Sequence, residues 1–194
     1  AVAGAGSLRW NGSAVQYSDG ANWAGLGGGN LDQAYDFGGA GLGRTITADA
    51  GVLNIAGTDG FLANGTFGIG LAIGAVNGIP EGGGTRMFFN PAKSAFRAGS
   101  VNASEWDDAN VGNYSTAFGL NTTANGEVSL SIGDGTITYG YASAAIGNFT
   151  QAIGFASTAL GAGSIAEGTA SVAMGNFTVA QGEESFTMGN GTTA

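Results

Sequence analysis

The sequence predicts an all-β protein whose C-terminal part is a parallel β-roll, a β-solenoid wound in 14-residue coils. Three observations carry that prediction. From Gly112 the chain divides into six units without an insertion: GNYSTAFGLNTTAN, GEVSLSIGDGTITY, GYASAAIGNFTQAI, GFASTALGAGSIAE, GTASVAMGNFTVAQ and GEESFTMGNGTTA. Within them position 1 is always Gly (Gly112, Gly126, Gly140, Gly154, Gly168, Gly182), position 4 always Ser (Ser115, Ser129, Ser143, Ser157, Ser171, Ser185) and position 8 always Gly (Gly119, Gly133, Gly147, Gly161, Gly175, Gly189). Small residues at positions 4 and 6 are then set against a large apolar residue at position 7: Phe118, Ile132, Ile146, Leu160, Met174 and Met188.

A period of 14 is too short for a helical repeat and fits one coil of two short strands and two tight turns. The recurring glycines mark the turns, where positive φ or close backbone approach is needed. Strand side chains alternate faces, so the small residues and position 7 point opposite ways. With Ser, Ala and Thr inside, each coil buries little apolar area, and a lone column stands poorly against its ordering entropy. The stripe at position 7 then reads as a second interface, with three copies around an axis as the natural closed arrangement. The rival reading puts position 7 inside the coil and allows a monomer.

Upstream, the elements follow in order. Asn11-Gly12 joins strands around Leu8–Trp10 and Ala14–Tyr17 into a hairpin. Asn30 caps a short helix, LDQAYDF, that ends at Gly38-Gly39. RTITADAGVLNIAG, from Arg44, alternates as two short strands. Lys93 and Arg97 lie four apart in NPAKSAFRAG, a spacing that exposes two cations on a helical turn, with Phe88, Phe89 and Phe96 as anchors. The loop NGIPEGGGTR (77–86) reads as a linker. The expected organisation is a connecting module at 1–43, a β-rich interwoven neck at 44–111 and the roll at 112–194.

Composition narrows the chemistry. The 194 residues include 39 Gly, no Cys and no His. A base poised near neutrality and a thiol nucleophile or ligand are therefore both missing. The net charge of −9 and pI near 4.1 argue against nucleic acid or an anionic membrane as partner. No stretch reaches the ~18–20 apolar residues that span a bilayer, and AVAGAG is no signal peptide. The chain starts without Met and stops inside a repeat, as a piece of something longer would.

The phrase S-x-A-Φ-G-x-x-(T/S)-x-A-x-G, with Φ apolar, resembles the head repeat of trimeric autotransporter adhesins, the YadA-like head. The resemblance covers 112–194 and implies a left-handed roll in a side-by-side homotrimer. GTRMFFNPAKSAFRAG (84–99), SEWDDANVGNYS (104–115), LDQAYDFGGAGLGRTITADAGVLNIAGTDGF (31–61) and SLRWNGSAVQYSDGANW (7–23) resemble segments of bacteriophage tail-fibre proteins. Together these imply a structural trimeric fibre segment on a virion, partnered by itself, by other fibre subunits and by a host-surface glycan or protein receptor. A bacterial cell-surface or extracellular adhesin is the alternative.

Each chemically suggestive feature has a plainer reading. Glu105, Asp107 and Asp108 could hold a hard cation through oxygen ligands, yet acids on a turn suffice, and no metal or other cofactor is expected. GDGT (133–136) lacks the nonapeptide frame of a calcium roll, and the Gly-rich stretches 27–32 and 38–44 lack the strand-to-helix setting of a phosphate loop. Arg44, Arg86, Lys93 and Arg97 are expected to neutralise acids such as Asp49 or Asp107 at subunit contacts, with sugar binding as the alternative. Sequon asparagines Asn148, Asn176 and Asn190 share one repeat position, which turn chemistry explains. Recognition is expected at the exterior, on Tyr139, Tyr141, Phe149, Gln151, Ile153 and Phe177. A tail-borne depolymerase needs two carboxylates across a cleft, and only Glu105 and Asp107 flank Trp106. The chain is therefore read as no enzyme. Ice binding needs a Thr-x-Thr ladder, and only Thr136–Thr138 fits.

Overall fold

The computed structural model describes residues 4, 6–11, 15–18, 20–25 and 81–194. They belong to two units, 1–60 and 61–194. In the first, β1 (Leu8–Trp10), β2 (Val15–Ser18) and β3 (Trp23–Gly25) form an antiparallel sheet in that order. Leu8 pairs with Tyr17 and Trp10 with Val15, the hairpin the sequence predicts; a third strand follows that it does not. The Arg9 guanidinium lies 4.3 Å over the Trp23 ring while its Nε donates to Gln16 Oε1 at 2.8 Å. Gly12, the predicted helix over 31–37, the paired strands after Arg44, Asp49 and 77–80 lie outside the described residues.

The described residues of the second unit, 81–194, are all-β apart from a 3-10 turn at Asp108–Asn110. Two strands, β4 (Gly84–Asn90) and β5 (Ala95–Val101), lead into a ladder of alternating long and short strands. The long ones are β6 (Thr116–Leu120), β8 (Leu130–Asp134), β10 (Ala144–Asn148), β12 (Thr158–Ala162), β14 (Val172–Asn176) and β16 (Phe186–Asn190). Between them run β7 (Thr123–Ala124), β9 (Ile137–Thr138), β11 (Gln151–Ala152), β13 (Ile165–Ala166) and β15 (Val179–Ala180). Long strands pair in parallel with long and short with short, each residue against its equivalent one coil on. The result is a β-solenoid of about five 14-residue coils.

The alternation settles which side is inside. Ala117, Ala145, Ala159 and Ala173 at position 6, and Ala124, Ala152, Ala166 and Ala180 at position 13, are fully buried; so are Thr122, Thr150 and Thr178 at position 11. Position 7 faces outward on the long-strand sheet. The interior is thus a seam of methyls and hydroxyls. Thr136 and Thr138 belong to it: Thr136 Oγ1 lies 2.7 Å from Ser131 Oγ, and Thr138 Oγ1 donates to Ser129 Oγ at 3.0 Å. The one Thr-x-Thr pair of the roll therefore faces inward.

The glycines at positions 1 and 8 make the close backbone approach expected of them, but those at position 8 lie in strands and not in turns. The left-handed turn residues are mostly not glycine: Tyr114, Val128, Ala142, Ala156, Ala170 and Glu184 at position 3, with φ between 53° and 60°. Position 8 lies inside the long strand. There Gly147 takes φ 134°, and a Cβ on it would stand 1.9 Å from the carbonyl oxygen of Gly161. Position 1 is a second such column, with a Cβ on Gly140 falling 1.9 Å from Gly154 O. Both columns are glycine because neighbouring coils bring backbone against backbone.

Two further expectations are corrected here. Gly84, Thr85 and Arg86, read as linker, start β4, because pairing with Val101, Ser100 and Gly99 completes their ladder. Lys93 and Arg97 are not on a helical turn: Lys93 is in the β4–β5 turn and Arg97 is inside β5.

Candidate functional site

β5 fills the place of a coil before the first repeat. Phe96, Arg97, Ala98, Gly99 and Ser100 pair in register with Thr116, Ala117, Phe118, Gly119 and Leu120. Arg97 therefore occupies the interior seat that Ala takes in most coils, and it closes the seam. It is fully buried; Nη1 donates to Phe96 O and Ser115 O at 2.9 Å, and Nη2 to Ser115 Oγ at 2.7 Å and Ala124 O at 2.9 Å. Desolvation lowers its pKa to about 10, so it stays charged at neutral pH. Beside it the buried Trp106 donates from Nε1 to Thr122 O at 2.8 Å. Phe88 meets the Trp106 ring edge-on at 6.0 Å and Arg86 lies 5.6 Å from its centroid.

The acids of this segment have local donors. Asp107 Oδ1 accepts from Gly82 N at 2.6 Å, Glu105 Oε2 from Ala103 N at 2.9 Å, and Asp108 Oδ2 is 3.2 Å from Lys93 Nζ. Lys93 Nζ also donates to the carbonyls of Val111 (3.0 Å) and Asp108. The expectation that Lys93 and Arg97 neutralise Asp107 between subunits thus gives way: Lys93 pairs within the chain and Arg97 binds carbonyls. Among the described residues no cluster of acids could hold a metal ion.

The developed surface lies outside. Register brings Phe118, Ile132, Ile146, Leu160, Met174 and Met188 into one line on the outer face of the eight-stranded sheet. Leu130, Val172 and Phe186 at position 5 flank it. The line runs on into residues that repeat-based reasoning missed. Phe96 packs on Phe118 with ring centroids 5.4 Å apart, and Phe89 and Met87, paired with Phe96 and Ala98, share that face. The missing signal was the frame: Gly99 stands 20 residues before Gly119, not 14, so the repeat search starts one coil late.

The six exterior candidates do not form one site. Phe149 and Phe177, 61 % and 67 % exposed, lie at position 10, on the turn after the long strand. Each ring lies over a glycine of the preceding coil: a Cβ on Gly135 or Gly163 would come within 2.5 or 2.6 Å of it. Tyr139 and Ile153 at position 14 and Tyr141 at position 2 occupy the opposite turn, together with Phe155, which sequence reasoning left out. Gln151 stands between them on the short-strand face, in register with Ile137 and Ile165. Asn148 and Asn176 donate along their own column, to Asp134 Oδ2 at 3.4 Å and Asn190 Oδ1 at 3.0 Å.

A solenoid whose seam Arg97 closes at one end, with a patterned exterior, defines a class: a repetitive structural segment that presents surfaces. The family comparison agrees. The YadA head domain repeat, the repeat of trimeric autotransporter adhesins, matches residues 111–136, 145–169, 152–178 and 166–192. That match covers less than half of the chain, and it makes residues 111–136 and 145–192 similar to the structural head repeats of such adhesins. No curated protein and no solved structure matches the chain significantly. Among the described residues no helix is long and apolar enough to cross a membrane.

Proposed function

We propose that the protein is a homotrimeric fibre segment, of a bacteriophage tail fibre, that holds a host-attachment surface away from the particle. The observation that carries it is the apolar outer face of the long-strand sheet. Phe118 is 38 % and Met188 62 % exposed in a single chain, in a stripe several coils long. Large contiguous apolar faces of this kind mark interaction surfaces. Burying the exposed part of each stripe residue contributes about 1–3 kcal/mol, a stabilisation that the Ala-lined seam does not supply by itself. Three copies around an axis cover the face in each of them without leaving an open end.

The tail-fibre setting rests on the resemblance of 7–23, 31–61, 84–99 and 104–115 to tail-fibre segments. A cell-surface adhesin is the second reading, favoured by the match to YadA head repeats. Light scattering coupled to gel filtration tests the assembly: three times the 18.9 kDa chain mass is expected, and an Ile146→Asp, Leu160→Asp variant should fall to one. A monomeric wild type overturns the trimer. Immunogold imaging of virions and of cells decides between the two settings.

A further inference from the structure

One group of exposed rings forms a bounded patch. Tyr139 and Tyr141 lie one coil from Ile153 and Phe155 at positions 14 and 2, so four large side chains make a two-by-two array on one turn of the roll. Each is about half exposed. Tyr141 and Phe155 are stacked, with centroids 5.3 Å apart and planes at 8°. Along the two columns the array ends at Glu127 on one side and Glu167 on the other. It lies apart from the position 5 and 7 face assigned to the trimer.

We propose that this array binds a neutral hexopyranose chain. Tyr141 and Phe155 cover one face of each other, and the electron-rich faces they leave free, with the Tyr139 ring, attract the polarised C–H face of a sugar. The Tyr139 and Tyr141 hydroxyls and the bordering carboxylates can then bond the hydroxyls on the sugar rim. Size argues against a protein partner: four side chains exposing half of roughly 200 Å² each offer about 400 Å², half of the ~800 Å² a stable partner requires. Charge argues against a polyanionic glycan, since the chain carries −9 and a carboxylate stands at each end of the patch. The proposal names the ligand class of the attachment surface and rests on that reading.

Calorimetric titration of the 194-residue protein with maltohexaose, cellohexaose and chitohexaose, with hexagalacturonate as charged control, tests it. At least one neutral hexasaccharide should bind and hexagalacturonate should not. A Tyr141→Ala, Phe155→Ala variant should lose more than tenfold in affinity at unchanged mass and melting curve, while Phe149→Ala, Phe177→Ala keeps it. The proposal is overturned if no neutral sugar binds, if binding survives the Tyr141, Phe155 variant, or if that variant changes the oligomeric mass, which would make a second copy the occupant. A wild-type monomer that binds sugar would sink the trimer and leave the sugar site standing.

Discussion

Adding one methyl group at a position 1 glycine tests whether the coils are held together by close backbone stacking. In Gly140→Ala the new Cβ would lie 1.9 Å from Gly154 O and 2.7 Å from Gly154 C, with Ile153 O at 3.0 Å. All three are backbone atoms, so no side chain can swing away. Relief requires the third and fourth coils to part by about 1.5 Å to reach ordinary van der Waals separation. Three bonds cross that joint nearby: Ala156 N to Tyr141 O at 2.8 Å, Ala144 N to Ser157 O at 2.9 Å and Ile153 N to Ala166 O at 2.8 Å. None survives such a displacement. At about 1 kcal/mol net each, their loss amounts to about 3 kcal/mol, a drop of about 6–12 °C for a chain of this size. Gly182→Ala is the matched control in the 194-residue chain, since the same methyl there finds Ser185 Cβ at 3.5 Å and nothing closer. It should melt within ~0.5 kcal/mol of wild type. Thermal unfolding followed by far-UV circular dichroism reads both. If Gly140→Ala and Gly182→Ala melt together, stacking distance is not what makes this column glycine.

The Arg97 plug and the Gly-Phe alternation make further predictions. Arg97→Met removes four buried hydrogen bonds, although Ser115 O keeps Phe96 N and Ala124 O keeps Gly112 N as donors, and should cost about 1–3 kcal/mol in urea unfolding; Arg97→Lys should recover only part, because an ammonium cannot span the same fork. Arg97 holds its proton in folded and unfolded chain alike below about pH 10, so this cost should be equal at pH 5 and pH 9; above about pH 10 the folded chain loses the proton before the unfolded chain does, and the group's contribution to stability rises with pH. Gly163→Ala, with φ 62° and the Phe177 ring 2.6 Å from the new Cβ, should cost about 1–2 kcal/mol. Phe177→Ala in the same chain should return more than about 0.5 kcal/mol of it, and simple additivity in that double-mutant cycle would show the ring does not rest on the glycine.

Much of the roll could be read directly. Gly, Ser and Gly recurring in phase at positions 1, 4 and 8 specify a 14-residue coil whatever surrounds it, and in-register pairing follows from the repeat. The side-chain period of two made Ala145 and Ile146 face opposite ways, but not which of them faces in. That was decided by the gap between the long-strand and short-strand sheets: Ser131 Oγ meets Thr136 Oγ1 across it at 2.7 Å, so the seam has room for Ala, Ser and Thr and none for Ile or Phe. Position 3 hid its left-handed turn behind Tyr, Val, Ala and Glu, residues that do not announce positive φ, because the inter-coil bonds on either side hold it there. Arg97 was the hardest to read. In sequence it is a cation near a lysine, and only the pairing of β5 with β6 shows it sitting in an alanine's place. The exterior divides the same way: the sequence by itself determined that positions 5 and 7 share one face of the long strand, through strict alternation. Tertiary structure alone decided that Phe149 and Phe177 lie on one turn and Tyr139, Tyr141, Ile153 and Phe155 on the other, because neighbours across coils are set by the stack and not by the chain.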